Sequence, residues 1–302
     1  MLEWGDVNME RFIKIAKKIA RNPTSLAGLL LVLFYVAIAI FAPFLAKPPY
    51  PDTPYQMPQS GWSAIPKPPS WQNPFGTTQG QYDLYYGIIW GTRTAFKVGI
   101  VVIGLALIIG LIVGTISAYF GGWVDEVLMR ITDIFLAFPF LVGVIVIVAI
   151  LGPGLNHVMW ALVIFYWMTY ARLIRGSVLE VKENQYVMAG RALGTPGYRI
   201  ISRHILPNAI FPVIIQSSMD MATIPLMAAA LSFLGLGAPV GYASWGQLVS
   251  FSRNWIVSST GGNPFAYWYT IVFPSVAIVL YAMGWNLLGD ALRDIFDPRM
   301  LI

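Results

Sequence analysis

The chain reads as an all-α integral membrane protein: six transmembrane helices, both termini cytoplasmic, and one long cytoplasmic loop between the fourth and fifth spans. Three observations predict this. Of its 302 residues, 57% are hydrophobic and only 11% charged, about half the charge that a hydrated globular surface carries. Six apolar stretches are each long enough to cross a hydrocarbon core of about 30 Å, which takes roughly 20 helical residues. Finally, 14 of the 19 Lys and Arg residues fall in the segments that six crossings place on one side, the bias that marks a cytoplasmic face.

Residues 1–25 form a basic lead-in. Phe12, Ile15 and Ile19 share one helical face while Arg11, Lys14, Lys18 and Arg21 share the other, the pattern of a helix lying at a membrane surface. The first span, from Leu26 to Leu45 in segment 26–46, carries no charge and follows Pro23-Thr24-Ser25, a fair helix start. It is too long for a secretory signal and ends in Pro43-Phe44-Leu45 where a cleavage site would need small residues. Segment 47–93 is expected to be extracytoplasmic. Nine of the 21 prolines lie between Lys47 and Gly91, which predicts stiff extended chain without regular secondary structure. Tyr50, Tyr55, Trp62, Trp71 and Phe75 are among its interleaved aromatics, which can pack into a cap, stack on sugars or anchor at headgroups.

Residues 94–290 hold the other five spans: Val98–Tyr119, Ile131–Leu151, Leu155–Ile174, Ala209–Leu234 and Trp268–Leu288. Within them, residues 176–208 form the long cytoplasmic loop. It predicts a stiff helical hairpin. A first helix covers Gln185–Leu193, with Gly194 free to take the left-handed C-terminal conformation. Thr195 offers an N-cap oxygen and Pro196 suits the first turn of a second helix, which Pro207 ends. Residues 291–302 are a mixed-charge tail with Arg293, Asp294, Asp297 and Arg299.

Composition also excludes function classes. There is no cysteine, so disulfides, thiolate metal sites and cysteine nucleophiles are ruled out. His157 and His204 stand far apart, and neither HExxH nor GxxxxGK[ST] occurs. No metal, cofactor or catalytic residue is expected, and the net charge of +5 is spent on membrane orientation, leaving no call for a nucleic-acid partner.

The hairpin resembles the "EAA" loop of ABC importer permeases, whose pattern runs E-A-A, three residues, G, nine residues, I-x-L-P. Here those positions are Met188, Ala189 and Gly190, then Gly194, then His204, Leu206 and Pro207. Met188 stands for the glutamate and Gly190 for the second alanine. The segments NPFGT (73–77), GGWVDEVLMR (121–130), LGPG (151–154), YARLIRG (170–176), LSFLGLG (231–237), SWGQL (244–248) and NLLGDALRDIFDPR (286–299) are similar, in order, to the C-type permease of the dipeptide/oligopeptide branch, which also imports oligosaccharides and nickel.

That resemblance implies several things. Tyr186, Val187, Met188, Ala189, Gly190, Arg191, Ala192, Leu193, Gly194, Leu206 and Pro207 would couple the chain to an ATPase. The partners would be a second, B-type permease, two ATP-binding subunits and an extracytoplasmic substrate-binding protein, in the cell membrane. The cargo would be oligopeptides or oligosaccharides; nickel import, or an ATP-independent secondary transporter, is the alternative.

Inside the membrane, Asp220 is the notable charge, since an ionisable residue there is costly and faces protein or water. With Gln216, Ser217 and Thr223 it makes the fifth span unusually polar. Two roles are open to it: lining the translocation pathway, or pairing with another helix. Asp133 is placed to pair with Arg130, one helical turn away.

Overall fold

The computed structural model describes residues 22–257 and 265–296. The lead-in helix of residues 11–21, and Asp297 and Arg299 of the tail, lie outside them. Helix α1 spans Pro23–Leu45, N-capped by Asn22, whose side-chain oxygen accepts from the Thr24 backbone N–H at 3.1 Å. Helix α2 runs Leu84–Phe120, α3 Gly122–Leu136, α4 Phe140–Leu151 and α5 Leu155–Lys182. The hairpin follows as α6, Gln185–Ala192, and α7, Gly197–Ile200, continued by a π-helical turn at Ile201–Ile205 and by α8, Leu206–Ala209. Helices α9 (Phe211–Phe233), α10 (Trp245–Val257) and α11 (Tyr269–Phe296) complete the bundle. Only isolated β-bridges, and no strands, occur among the described residues.

Five helices, α1, α2, α5, α9 and α11, are each long and apolar enough to cross a membrane, and α3 with α4 makes a sixth span if that bent pair is one crossing. The third span is therefore not the straight Ile131–Leu151 helix that the apolar run predicts. It is broken at Ala137-Phe138-Pro139, with an 82° bend. Pro139 supplies no N–H and disfavours helical geometry at Phe138. At 12 residues, α4 alone spans about 18 Å, short of a bilayer core.

The second span starts earlier than its apolar run suggests. Asp83 accepts from the Tyr86 N–H at 3.0 Å and caps a 37-residue helix. Burial pushes its carboxyl above the usual range, opposed by the Tyr86 and Tyr85 N–H groups. Residues 84–93, expected to be loop, thus form the outer turns of α2.

The bundle core is set by the close approach of α2 and α5. Gly110 and Gly114, four residues apart, leave no room for a side chain: a Cβ at Gly114 would stand 2.2 Å from the Ala171 carbonyl oxygen, and one at Gly110 would stand 2.5 Å from Tyr170 Cβ. Small residues at this spacing let membrane helices pack backbone to backbone. Around them Val102, Ala106, Val158, Leu162 and Ile174 are buried.

At the opposite end from the hairpin, the proline-rich segment folds as a packed cap. Trp90 Nε1 donates to the Ala46 carbonyl at 2.8 Å, Tyr86 Oη to Pro54 O at 2.6 Å and Ala243 N to Tyr55 O at 2.7 Å. Rings stack across it, Tyr55 on Tyr242 and Phe75 on Phe273. Trp62, 91% exposed, and Trp71 stand clear of it.

Candidate coupling hairpin and transmembrane site

Helix α6 shows why its sequence makes two faces. Val187 is fully buried against the bundle, while Tyr186, Met188 and Leu193 are exposed, Leu193 at 85%. Buried Ile200 and Ile205 fasten the second arm. Gly194 adopts φ +73° and reverses the chain, with the Thr195 N–H returning to the Gly190 carbonyl at 3.1 Å. Of the residues expected to couple, Tyr186, Met188, Ala189, Arg191, Ala192, Leu193 and Gly194 are exposed. Val187 is buried and Leu206 half-buried, where it packs on the core.

Two details of the hairpin differ from the expectation. Pro196, at φ −64° and ψ 142°, is itself the cap of α7, with no side-chain cap bond, so Thr195 does not serve. Pro207 does not end the second helix but opens α8, because the chain first widens into the π-helical turn, where the Leu206 N–H reaches the Ile201 carbonyl. That wider turn eases the clash a proline ring makes with the carbonyl four residues back.

Asp220 is 2% exposed and its carboxylate is filled. Tyr166 Oη donates to Oδ1 at 2.6 Å, Tyr170 Oη to Oδ2 at 2.7 Å, and Gln216 Nε2 to Oδ1 at 2.9 Å. The tyrosines sit four residues apart on α5, so one helical face grips both oxygens. These contacts are of the interhelical kind. Neither tyrosine was singled out from sequence, because a Tyr in an apolar run reads as ordinary core; two of them four residues apart on one span, with a lone carboxylate on another, is the signal that could have found them.

Beside this tie an open cavity of about 650 Å3 lies between α3, α5 and α9, with Thr169, Arg172, Ser177, Glu180, Pro212 and Gln216 on its wall. Gln216 thus reaches both Asp220 and the cavity. Thr223, two turns on, follows the same helical face and is half-buried; Ser217, also half-buried, turns back to the Ile214 carbonyl at 2.8 Å. Asp133 does not pair with Arg130. It takes Arg172 of α5, while Arg130 lies 4.0 Å from Glu126. Helix α3 packs alongside α5, which brings the Arg172 guanidinium to Asp133 and leaves Arg130 to a neighbour on its own helix.

Comparison with known proteins agrees with this architecture. The family described as binding-protein-dependent transport system inner membrane component matches residues 106–302, and the N-terminal TM domain of oligopeptide transport permease C matches residues 12–69. The dipeptide transport system permease protein DppC of Alkalihalophilus pseudofirmus is 38% identical, covering 94% of this chain and 88% of its own length. The oligopeptide transport system permease protein OppC of Bacillus subtilis is 34% identical over 92% of this chain and 87% of its own. The glutathione transport system permease protein GsiD of Pectobacterium atrosepticum is 34% identical, over 94% and 90%. Among solved structures, a chain of the MetNI methionine ABC transporter in an inward-facing conformation superposes with TM-score 0.55 at 18% identity, over 70% of this chain and 96% of that one, a likeness of fold alone. The chain belongs to the binding-protein-dependent transport system inner membrane components: it is a C-type, multi-pass permease subunit of an ABC importer of the dipeptide/oligopeptide branch, resident in the cytoplasmic membrane.

Proposed function

We propose that this chain, with a B-type permease, forms the translocation pathway for short peptides handed over by an extracytoplasmic binding protein. Two ATP-binding subunits hydrolyse the nucleotide, and this chain carries no catalytic residue of its own. Peptides are preferred to oligosaccharides or nickel because dipeptide, oligopeptide and glutathione are the cargoes in the names of its relatives. The excess of Lys and Arg at the hairpin end supports a cytoplasmic place for that end and for both termini.

The observation that carries the reading is the exposed apolar edge of Tyr186, Met188 and Leu193 on a hairpin whose other side is anchored by Val187, Ile200 and Ile205. Large apolar side chains held out in water on a stiff support mark a protein-binding surface. Met188, standing where a carboxylate is usual, adds to that apolar edge. Trp62 and Trp71, at the cap end, are suited to dock the binding protein.

The pathway face comprises the cavity wall with Gln216, extended along α9 by Ser217 and Thr223. Asp220 acts through the α5 tyrosines and holds this wall in place. Co-purification tests the reading: Leu193→Asp and Tyr186→Asp should strip the ATPase subunits from the permease pair while the pair itself stays intact. Full retention of those subunits by both variants refutes it. Calorimetry of the cognate binding protein against peptide and oligosaccharide panels decides the cargo.

A further inference from the structure

The corner between α2 and α3 is a place where five contacts meet. Gly121, at φ +66°, and Gly122, at φ +53°, turn the chain sharply there. On one flank Asp125 receives Arg175 of α5 through two parallel bonds, Nε and one terminal nitrogen each at 2.6 Å, and Ser117 Oγ also donates to it. On the other flank Lys182, the last residue of α5, donates to the Ala118 carbonyl at 2.7 Å. Next along, the ring of Tyr119 lies under the guanidinium of Arg191, with Cζ 5.2 Å from its centroid. The Tyr119 hydroxyl also crowds Gly197 at the start of α7, where an added Cβ would stand 2.8 Å from it.

We propose that this corner is a clasp that makes α2, the start of α3, α5 and the hairpin one rigid body, with Tyr119 and Arg191 as its closing contact. The inference rests on the hairpin being the ATPase-docking element. Without the clasp, α6 is held to α5 by the Glu183–Asn184 link and by buried Val187, and a push on its outer face has no direct path to the end of α2. With the clasp, the same push is delivered to the end of α2 as well. The glycine-lined seam at Gly110 and Gly114 then carries it along the whole α2–α5 pair. Arg191, exposed and expected from sequence to face the ATPase, is on this reading a positioning residue that faces its own chain. The unit that moves with the hairpin therefore includes α2 together with α5.

The chain has no cysteine, so introduced thiols report without background from this chain. In the assembled transporter, Tyr119→Leu is expected to keep its ATPase subunits and hydrolyse ATP, while substrate taken up per ATP falls about fivefold or more, the lower end of coupling between linked sites. Tyr119→Trp keeps a face for the guanidinium and should restore the ratio. A purely structural role would lower assembly and leave the ratio alone.

If Tyr119→Leu fails to assemble, the paired Tyr119→Cys and Arg191→Cys variant decides. Bridging it with a short bis-maleimide should leave uptake at or above the unbridged level, because the two parts stay together through the cycle. A wild-type ratio in Tyr119→Leu, or uptake blocked by the bridge, overturns the clasp. Retention of the ATPase subunits by Leu193→Asp and Tyr186→Asp would instead overturn the docking reading beneath it.

Discussion

A carboxylate between membrane helices must find donors, since lipid offers none, and Asp220 finds three: two tyrosine hydroxyls from α5 and the Gln216 amide one turn back. Each bond closes an otherwise unmet demand in an apolar surround. In Asp220→Asn the charge is gone and at least one tyrosine must turn its hydroxyl round. Interhelical polar contacts in membranes are worth about 1–2 kcal/mol. The expected outcome is a loss of that size in thermal stability of the purified permease pair, with uptake per assembled transporter unchanged. Tyr166→Phe and Tyr170→Phe should each do less. An assembled Asp220→Asn transporter of unaltered melting midpoint but sharply reduced uptake would instead put the carboxylate in the pathway itself.

At the scale of an element, α6 is a helix of eight residues, too short to hold its shape alone. It depends on buried Val187 and on its C-terminal reversal. Two glycines, one inside it and one just past its end, do opposite things. Gly194 sits at φ +73°, where a side chain costs about 1–2 kcal/mol. Gly190 has no positive φ and open space where a Cβ would point, so alanine there should gain up to ~1 kcal/mol in helix propensity. Gly190→Ala is therefore expected to leave or raise ATPase co-purification and Gly194→Ala to lower it, as read by densitometry of the purified complex. Equal effects from both would mean that the hairpin's backbone is not what docking depends on.

For the whole molecule, the proposed orientation puts the basic hairpin end in the cytoplasm and the cap outside. Labelling of single thiols tests that arrangement. Gln72→Cys in the cap and Asn184→Cys at the hairpin are both at exposed positions. A membrane-impermeant maleimide added to intact cells should label only the first, and permeabilisation should be needed for the second. Labelling in the reverse order would turn the molecule over, and with it the hairpin's place beside the ATPase.

The spans were legible because lipid imposes one demand on every crossing: about 20 apolar residues with the backbone bonded to itself. The hairpin was legible in outline, since Gly194 and Pro196 act locally on backbone angles, but the π-helical turn that lets Pro207 open α8 was not. The bend at Pro139 was readable in principle but lay hidden in an apolar run, whose hydropathy is blind to direction. What only tertiary structure decided are the pairings: Asp133 with Arg172 instead of Arg130, Asp220 with two α5 tyrosines, Arg191 with Tyr119. Hydropathy and turn chemistry are properties of neighbours along the chain. Which donor meets which acceptor depends on how closely two distant helices approach, a property of the packed bundle, as where Gly110 and Gly114 let α2 lie against α5.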